Sequence, residues 1–379
     1  MSARLLIKEP PSIRYFSSQL PSIQKDLSNY VDSMAQDIKK ANNITEEFNF
    51  DLETANTGDL LIYGRIYAKL DNDNPSEKLI GHKAQIQLTS KFSRPYLDFE
   101  AKLNETYYYR GQIVVVLGTF QNSVFVAKQI YSNCRVAKPH EISTLFNTKI
   151  TVAAGPYFKE NLSEVQDFAE GVLENKPDLA IFLGPFIPAD CKLLYAKECN
   201  RTGEDLTKEV LTILSNNHKN CVFVSSAEDS IADPVLPTKA FMPSTDNYSV
   251  TMDPVFIEYG DLDLFLTSYQ SYKLIANNFE GKKTVNGTEV GSRITTILTE
   301  FANQQSICPG IDEQVQQSFI SHFRPVRPPH VFVVPGQPNA TVSVDDDVTT
   351  ILINPAIRRS FAMIRVKDGK VNSEIMKFK

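Results

Sequence analysis

The sequence predicts a mixed protein: an all-β barrel followed by a larger α/β unit. Three observations carry that prediction. Apolar residues between Gly58 and Tyr131 fall in short alternating runs split by polar turns. From Ile150 onward, strand-like runs alternate with helical periods. The 379 residues also exceed the roughly 250–300 at which a single core stops growing. The 42% hydrophobic and 22% charged fractions are those of a globular chain, and no apolar run approaches the roughly 18–20 residues that cross a bilayer. At the start, Leu5, Leu6 and Ile7 meet charge and proline too soon to form a secretory signal, so an intracellular location is the expectation.

Cys134, Cys191, Cys199, Cys221 and Cys308 are odd in number and contain no C-x-x-C pair, which argues for reduced thiols over a disulfide framework or a zinc ribbon. The sequons at Asn104 and Asn286 would matter only in a secretory compartment. A net charge of −6 gives the whole molecule no electrostatic reason to hold a polyanion, although a local basic groove remains open. Any contact with DNA is expected to be weak or indirect, with a partner supplying the grip.

Taken in order, the first element is an amphipathic helix over 21–41, with Ile23, Leu27, Tyr30, Val31, Met34 and Ile38 on one face. Pro21 suits its first turn, Lys39 and Lys40 its last, and Asn42-Asn43 its stop. It reads first as a helix docked on its own protein, with partner binding as the alternative. Strands are then expected in GDLLIYGRIYAKL, KLIGHKAQIQL, YYYRGQIVVVLGTF and SVFVAKQIY, with a turn at Asp71-Asn-Asp-Asn-Pro75. Gly111 and Gly118 bracket Ile113–Val116, where an OB-type barrel bends its strands and needs residues without a β-carbon. Such barrels often bind single strands through aromatic platforms. Here most aromatics gather in Tyr107-Tyr-Tyr109, read as a turn, among acids such as Asp98, Glu100 and Glu105.

After Lys138-Pro139, the strand Ile150–Ala154, a helix with Val165, Phe168, Ala169, Val172 and Leu173 inward, and the strand Leu179–Leu183 form a β–α–β unit with parallel strands. Ser163 and Gln166 are read as the capping box of that helix. The unit repeats through a helix bearing Leu206, Val210, Ile213 and Leu214 to the strand Cys221–Ser225. Next come the strand Leu262–Thr267, a helix through Ile294, Ile297, Leu298 and Phe301, and another through Ile311, Val315, Phe319 and Ile320. Strands His330–Val334, Thr349–Asn354 and Phe361–Val366 are read as finishing the sheet, in an arrangement that can lay sheet on sheet with helices outside. Tyr248 to Gly260 and Glu280 to Gly291 read as polar insertions.

This order of elements resembles the calcineurin-like metallophosphoesterases, whose D-x-H, G-D-x-x-D, G-N-H-[DE] and G-H-x-H motifs hold two metals at strand ends. Such metals need carboxylates and imidazoles to bridge a hydroxide and to stabilise phosphoryl charge. At the matching positions this chain offers Gly155 and Tyr157, then Gly184 followed by Pro185, then Ala227 and Glu228, with Asp229 alone resembling a family ligand. The fourth position, Val334 to Asn339, has no histidine, and neither Gly81-His82 nor His330 restores the motif. His140, His218 and His322 are scattered. No G-x-S-x-G, Walker loop or dinucleotide fingerprint appears, so no catalytic residue, metal or cofactor is expected.

A barrel joined to a phosphoesterase-like unit stripped of ligands is similar to the B-subunit family of replicative DNA polymerases. The resemblance rests on Ala154-Gly-Pro-Tyr157, Pro177 to Phe186, Asp233-Pro-Val-Leu-Pro237 with Phe241, Ile353-Asn-Pro355 with Phe361-Ala362, Arg110 to Gly118, and Tyr15-Phe16 with Leu20-Pro21. The paired Gly-Pro-Tyr and Gly-Pro-Phe motifs favour the alpha–primase branch over the delta and epsilon branches. The resemblance implies an N-terminal segment 1–57, an OB-fold domain 58–133 and an inactive calcineurin-like domain 134–379. It also implies a nuclear, non-catalytic scaffold that tethers primase to the C-terminal zinc domain of a polymerase catalytic subunit, with no membrane contact. Tyr157, Phe186 and Phe241 are expected to pack or to meet that partner. Family members usually carry a further N-terminal helical domain, so this chain is expected to be either a shortened member or a piece of one.

Overall fold

The computed structural model describes residues 3–8, 20–51, 58–68, 84–87, 95–99, 107–196, 200–216, 218, 220–277, 279–281, 284–285, 288–289, 292–307 and 317–378. Outside these lie Tyr15-Phe16, the turn 71–75, Gly81-His82, Glu100, Asn104, Glu105, Cys199, Asn286, Cys308, Ile311 and Val315.

Along the chain, β1 (Leu5–Lys8) precedes helix α1 (Leu20–Ala41). Then follow β2 (Leu60–Ala68), β3 (Ala84–Gln87), β4 (Tyr96–Asp98), β5 (Tyr107–Tyr109), β6 (Ile113–Gln121) and β7 (Val124–Tyr131). The α/β unit continues with β8 (Thr148–Ala154), α2 (Leu162–Leu173), β9 (Leu179–Leu183), α3 (Gly203–Leu214), β10 (Cys221–Val224), β11 (Tyr248–Thr251), β12 (Val255–Tyr259), β13 (Leu262–Leu266) and α4 (Ser271–Asn277). After β14 (Phe279–Gly281), β15 (Thr284–Val285) and β16 (Thr288–Glu289) come α5 (Arg293–Asn303), β17 (Val331–Pro335), β18 (Ala340–Val344), β19 (Val348–Ile353), β20 (Ser360–Lys367) and β21 (Lys370–Lys377).

Five strands close a barrel in the order β2-β3-β4-β7-β6, in which β4 and β7 run parallel and the other pairs antiparallel. Gly111 turns into β6 with φ +90°. At Gly118 the β6–β7 register shifts, and a Cβ there would come within 2.2 Å of the Val126 carbonyl oxygen, so only glycine permits this approach. Tyr107–Tyr109 is a strand paired with β14, not a turn, and Tyr108 and Tyr109 are buried.

The α/β unit stacks two six-stranded sheets, β1-β12-β13-β17-β19-β18 and β11-β10-β9-β8-β20-β21. Strands β8 to β11 are mutually parallel, as are β13, β17 and β19. Ile150, Val152, Ile181 and Val222 of one sheet meet Ile257, Leu264, Val331 and Ile351 of the other in one apolar layer. Helices α2 and α3 cover the outer face of the second sheet through Val165, Phe168, Leu206 and Val210. A third core joins the outer face of the first sheet to α5, to the Tyr30–Ile38 face of α1, and to barrel residues Leu61, Ile113 and Val115. Helix α1 is therefore docked on its own protein, and Asn43 ends it in the left-handed region at φ +53°.

Four further sequence readings need correction. Tyr248 to Gly260 is no insertion, because it supplies β11 and β12, whose apolar residues are hidden in sequence by Asp253-Pro254 and Glu258. The cap of α2 is Asn161, whose side chain accepts from the Ser163 amide, so Ser163 lies inside the first turn. Phe319 and Ile320 lie in a 3₁₀ segment, Gln317–Phe323, kinked at Phe319. The last strands do not finish one sheet: β17 and β19 enter the first and β20 the second.

Candidate functional site at the strand ends

Parallel strands deliver their C-terminal loops to one rim, the usual place for chemistry in such sheets. The loops after β8, β9 and β10 carry Gly155, Tyr157, Gly184, Pro185, Ala227, Glu228 and Asp229, and the structure brings them side by side. The Gly155 amide donates to Leu183 O at 2.8 Å and the Gly184 amide to Val224 O at 2.9 Å, extending the sheet beyond the strands. A Cβ on Gly155 would meet the Pro185 carbonyl oxygen at 1.9 Å, so the two Gly-Pro loops interlock.

Aromatic rings fill the rim. Tyr157 stacks on Phe186 at 5.5 Å between centroids and meets Phe168 and Phe182 edge-on. Phe186 is fully buried and also touches Phe223 and the half-buried Phe241. Burial, with the Asp229 carboxyl nearby, holds the Tyr157 hydroxyl well above its ordinary pKa.

Asp229 is buried beneath these rings. Its Oδ1 accepts from the Phe186 amide and, at 3.3 Å, from that of Ile187. Its Oδ2 has no hydrogen-bond partner and lies where a Cβ on Gly184 would come within 2.7 Å. Burial pushes its pKa up to about 8 against the opposing backbone hydrogen bonds. The neutral acid is therefore favoured near pH 7. Glu228 beside it is also raised by desolvation, opposed by Lys273 and a hydrogen bond with Gln270. Ala227 is half-buried and offers no ligand atom.

Sequence reasoning missed Asp253, just after β11. It is fully buried and accepts from the Ser268 amide at 3.1 Å and the Ser268 hydroxyl at 2.6 Å, and burial raises its pKa to about 6. Its place directly after the apolar Val250–Met252 and before Pro254 was the available signal.

A second titratable group lies at the opposite end of β13. Arg327 grips Asp263 with two hydrogen bonds at 2.5 and 2.7 Å, and His140 Nδ1 stands 3.4 Å from the same carboxylate. His330 Nδ1 accepts from the Asp263 amide at 3.0 Å and Nε2 donates to His140 O at 2.9 Å. Both ring nitrogens of His330 are thus engaged and Arg327 holds both oxygens of Asp263, so this His–Asp–His group, whose possible ligand atoms lie within 4.8 Å of one another, is knit together by hydrogen bonds. In the barrel, Phe99, Tyr108, Tyr109 and Phe125 are buried, and Lys128 pairs with Asp59, so these residues form no exposed stacking platform.

The profile of the family described as the DNA polymerase alpha/epsilon B subunit matches residues 150–342. The B subunit of DNA polymerase alpha from Drosophila melanogaster is 21% identical over 315 residues, which cover 80% of this chain and 48% of that protein. The Caenorhabditis elegans protein of the same name is 22% identical over 267 residues, covering 65% and 44%. The chain therefore spans about half the length of these relatives. A Thermotoga maritima protein solved by NMR superposes with a TM-score of only 0.28 at 10% identity, over 61% of this chain and 99% of that one. With the profile spanning the strand-end loops and both sheets, the chain belongs to the DNA polymerase alpha/epsilon B-subunit family.

Proposed function

We propose that this chain is a non-catalytic scaffold subunit of the nuclear DNA polymerase alpha–primase complex. In this reading it binds the C-terminal zinc domain of the catalytic subunit and holds polymerase next to primase during primer synthesis. The observation that carries it is the rim itself: where two-metal hydrolysis requires charged ligands, Gly155, Tyr157, Gly184, Pro185 and Ala227 stand, and Asp229 is a buried acid occupied by backbone amides. The sandwich with helices on both outer faces supports a calcineurin-like ancestry over 134–379, and the barrel order with one parallel pair supports an OB fold over 58–133. Both relatives from the alpha polymerase support the alpha branch.

The test is co-expression with the zinc domain of the alpha catalytic subunit, and separately with the corresponding delta and epsilon tails, followed by light scattering and metal analysis. A one-to-one complex with the alpha domain, all its zinc on the partner, is expected. Binding to the delta or epsilon tail instead moves the chain to that branch, and binding to none overturns the scaffold. Manganese-dependent hydrolysis of a simple phosphodiester by the lone chain would restore an enzymatic role.

A further inference from the structure

A cavity of about 240 Å³ opens between the loop after β8, the start of α2, the turn after β19 and Phe378 beyond β21. Its apolar lining is firm. The Phe168 and Phe378 rings lie 5.4 Å apart, Tyr157 meets Phe168 edge-on, and a Cβ on Gly171 of α2 would come within 3.1 Å of the Phe378 ring. Ile357 stands in the same lining with 44% of its surface exposed. The charge around it is lopsided. Lys159 and Arg359 line the cavity, and Arg358 and Lys377 are immediate chain neighbours of residues that do. All four side chains are exposed and, among the described residues, none has an ion-pair or hydrogen-bond partner. Glu164, on the α2 wall, is the one acid among the described lining residues. Backbone contacts fix the turn that presents Arg359: its amide donates to Ala356 O at 2.7 Å, and its carbonyl accepts from the Phe378 amide at 3.2 Å.

We propose that this cavity is an anchor site for an acidic peptide segment of a partner protein. The segment seats one ring-sized apolar side chain against Phe168, Ile357 and Phe378 and sets its carboxylates against Lys159 and Arg359. At about 240 Å³ the cavity is smaller than the roughly 300–1,000 Å³ of small-molecule pockets, but it suits the single buried anchor around which peptide contacts are built. Charge selects the partner's sign, because four unpaired cations gather here on a chain whose net charge is −6. The rings select a peptide over a nucleic acid: Tyr157 stacks on Phe186 and, like Phe168, is buried, so neither offers a base a stacking platform. Glu164 opposes a continuous phosphate chain as well, whereas a peptide carries its acids singly. Nothing in this site depends on the zinc-domain reading above.

The test is fluorescence anisotropy of the full chain with a labelled peptide that carries one phenylalanine between pairs of glutamates. Saturable binding is expected, weakened about tenfold or more by Lys159→Glu with Arg359→Glu and abolished by Ile357→Glu, all three positions being exposed. Peptides with serine for the phenylalanine, or lysines for the glutamates, should bind about tenfold more weakly or worse. No binding of the acidic phenylalanine peptide overturns the proposal, as does equal binding of the serine peptide. Oligothymidylate that displaces the peptide and binds more tightly gives the cavity to nucleic acid, and a parent dimer that Ile357→Glu makes monomeric gives it to a second copy. Either result also overturns the proposal. Should a variant misfold, a benzophenone in place of the phenylalanine decides on the parent chain: photo-adducts on Phe168, Ile357 or Phe378 support the site, and adducts confined elsewhere sink it.

Discussion

Asp229 is a residue whose chemistry is set by its burial. Its folded pKa of about 8 lies above the roughly 3.9 of an unfolded aspartate, so the folded state binds the extra proton. The stability it leaves intact below about pH 4 is lost as pH rises toward 8. Asp229→Asn keeps an acceptor for the Phe186 and Ile187 amides and removes the titration. Thermal melts from pH 4 to 9 should therefore show the variant gaining on the parent by a few kcal/mol as pH rises. Asp229→Ala, by contrast, should cost about 2–4 kcal/mol near pH 4, because two buried amides lose their acceptor, and that cost should shrink as pH rises, because the titration is removed as well. Gly155→Ala should destabilise by at least about 1–3 kcal/mol in a denaturant titration, since its Cβ meets backbone and no flexible side chain can yield. The loops after β8, β9 and β10 were legible because each begins straight after an apolar strand. The His140–Asp263–His330 network was not, because topology alone brings its members together.

Among the elements, α5 carries the most informative joint. Glu300 on its inner face is buried, accepts from Gln112 Nε2 at 3.0 Å and Asn303 Nδ2 at 3.2 Å, and is raised to about 7 by burial. Gln304 on the next turn donates to Ser132 O at 2.5 Å and Ile113 O at 3.3 Å, tying the same helix to the barrel. By the same sign, the contribution of Glu300 is complete below about pH 4.5 and lost as pH rises through 7. Glu300→Gln should flatten that slope by up to about 3 kcal/mol, observed as a melting temperature that falls less between pH 5 and 8. The amide has a partner available, since Gln112 Oε1 is unpaired and a flip presents it. Helix α1 was legible because its apolar stripe has a helical period and α3 because Leu206, Val210 and Leu214 do. Strand β1 was not, because three apolar residues before a proline pair show no periodicity until β12 lies alongside them.

For the whole molecule, the apolar core does not divide where the sequence divides. Leu61, Ile113 and Val115 of the barrel share one cluster with Met34 and Ile38 of α1 and with Ile297, Leu298 and Phe301 of α5. Arg324 pairs with Asp37 across the same joint at 2.8 Å. The chain should unfold in a single cooperative transition, with barrel and sandwich probes coinciding in guanidinium. A fragment of residues 58–133 alone should give the poorly dispersed NMR spectrum of an unordered chain. Two well-separated transitions, or a folded fragment, would show the shared core to be dispensable. The same joint shapes how the protein is made. The apolar face of α1 leaves the ribosome early, whereas its cover between Ile297 and Phe323 is synthesised late. At roughly 5–20 residues per second the wait is on the order of 10 to 50 seconds. Throughout it, Val31, Met34 and Ile38 can meet only the barrel's Leu61, Ile113 and Val115, so the newborn chain carries a half-covered apolar face for most of its synthesis.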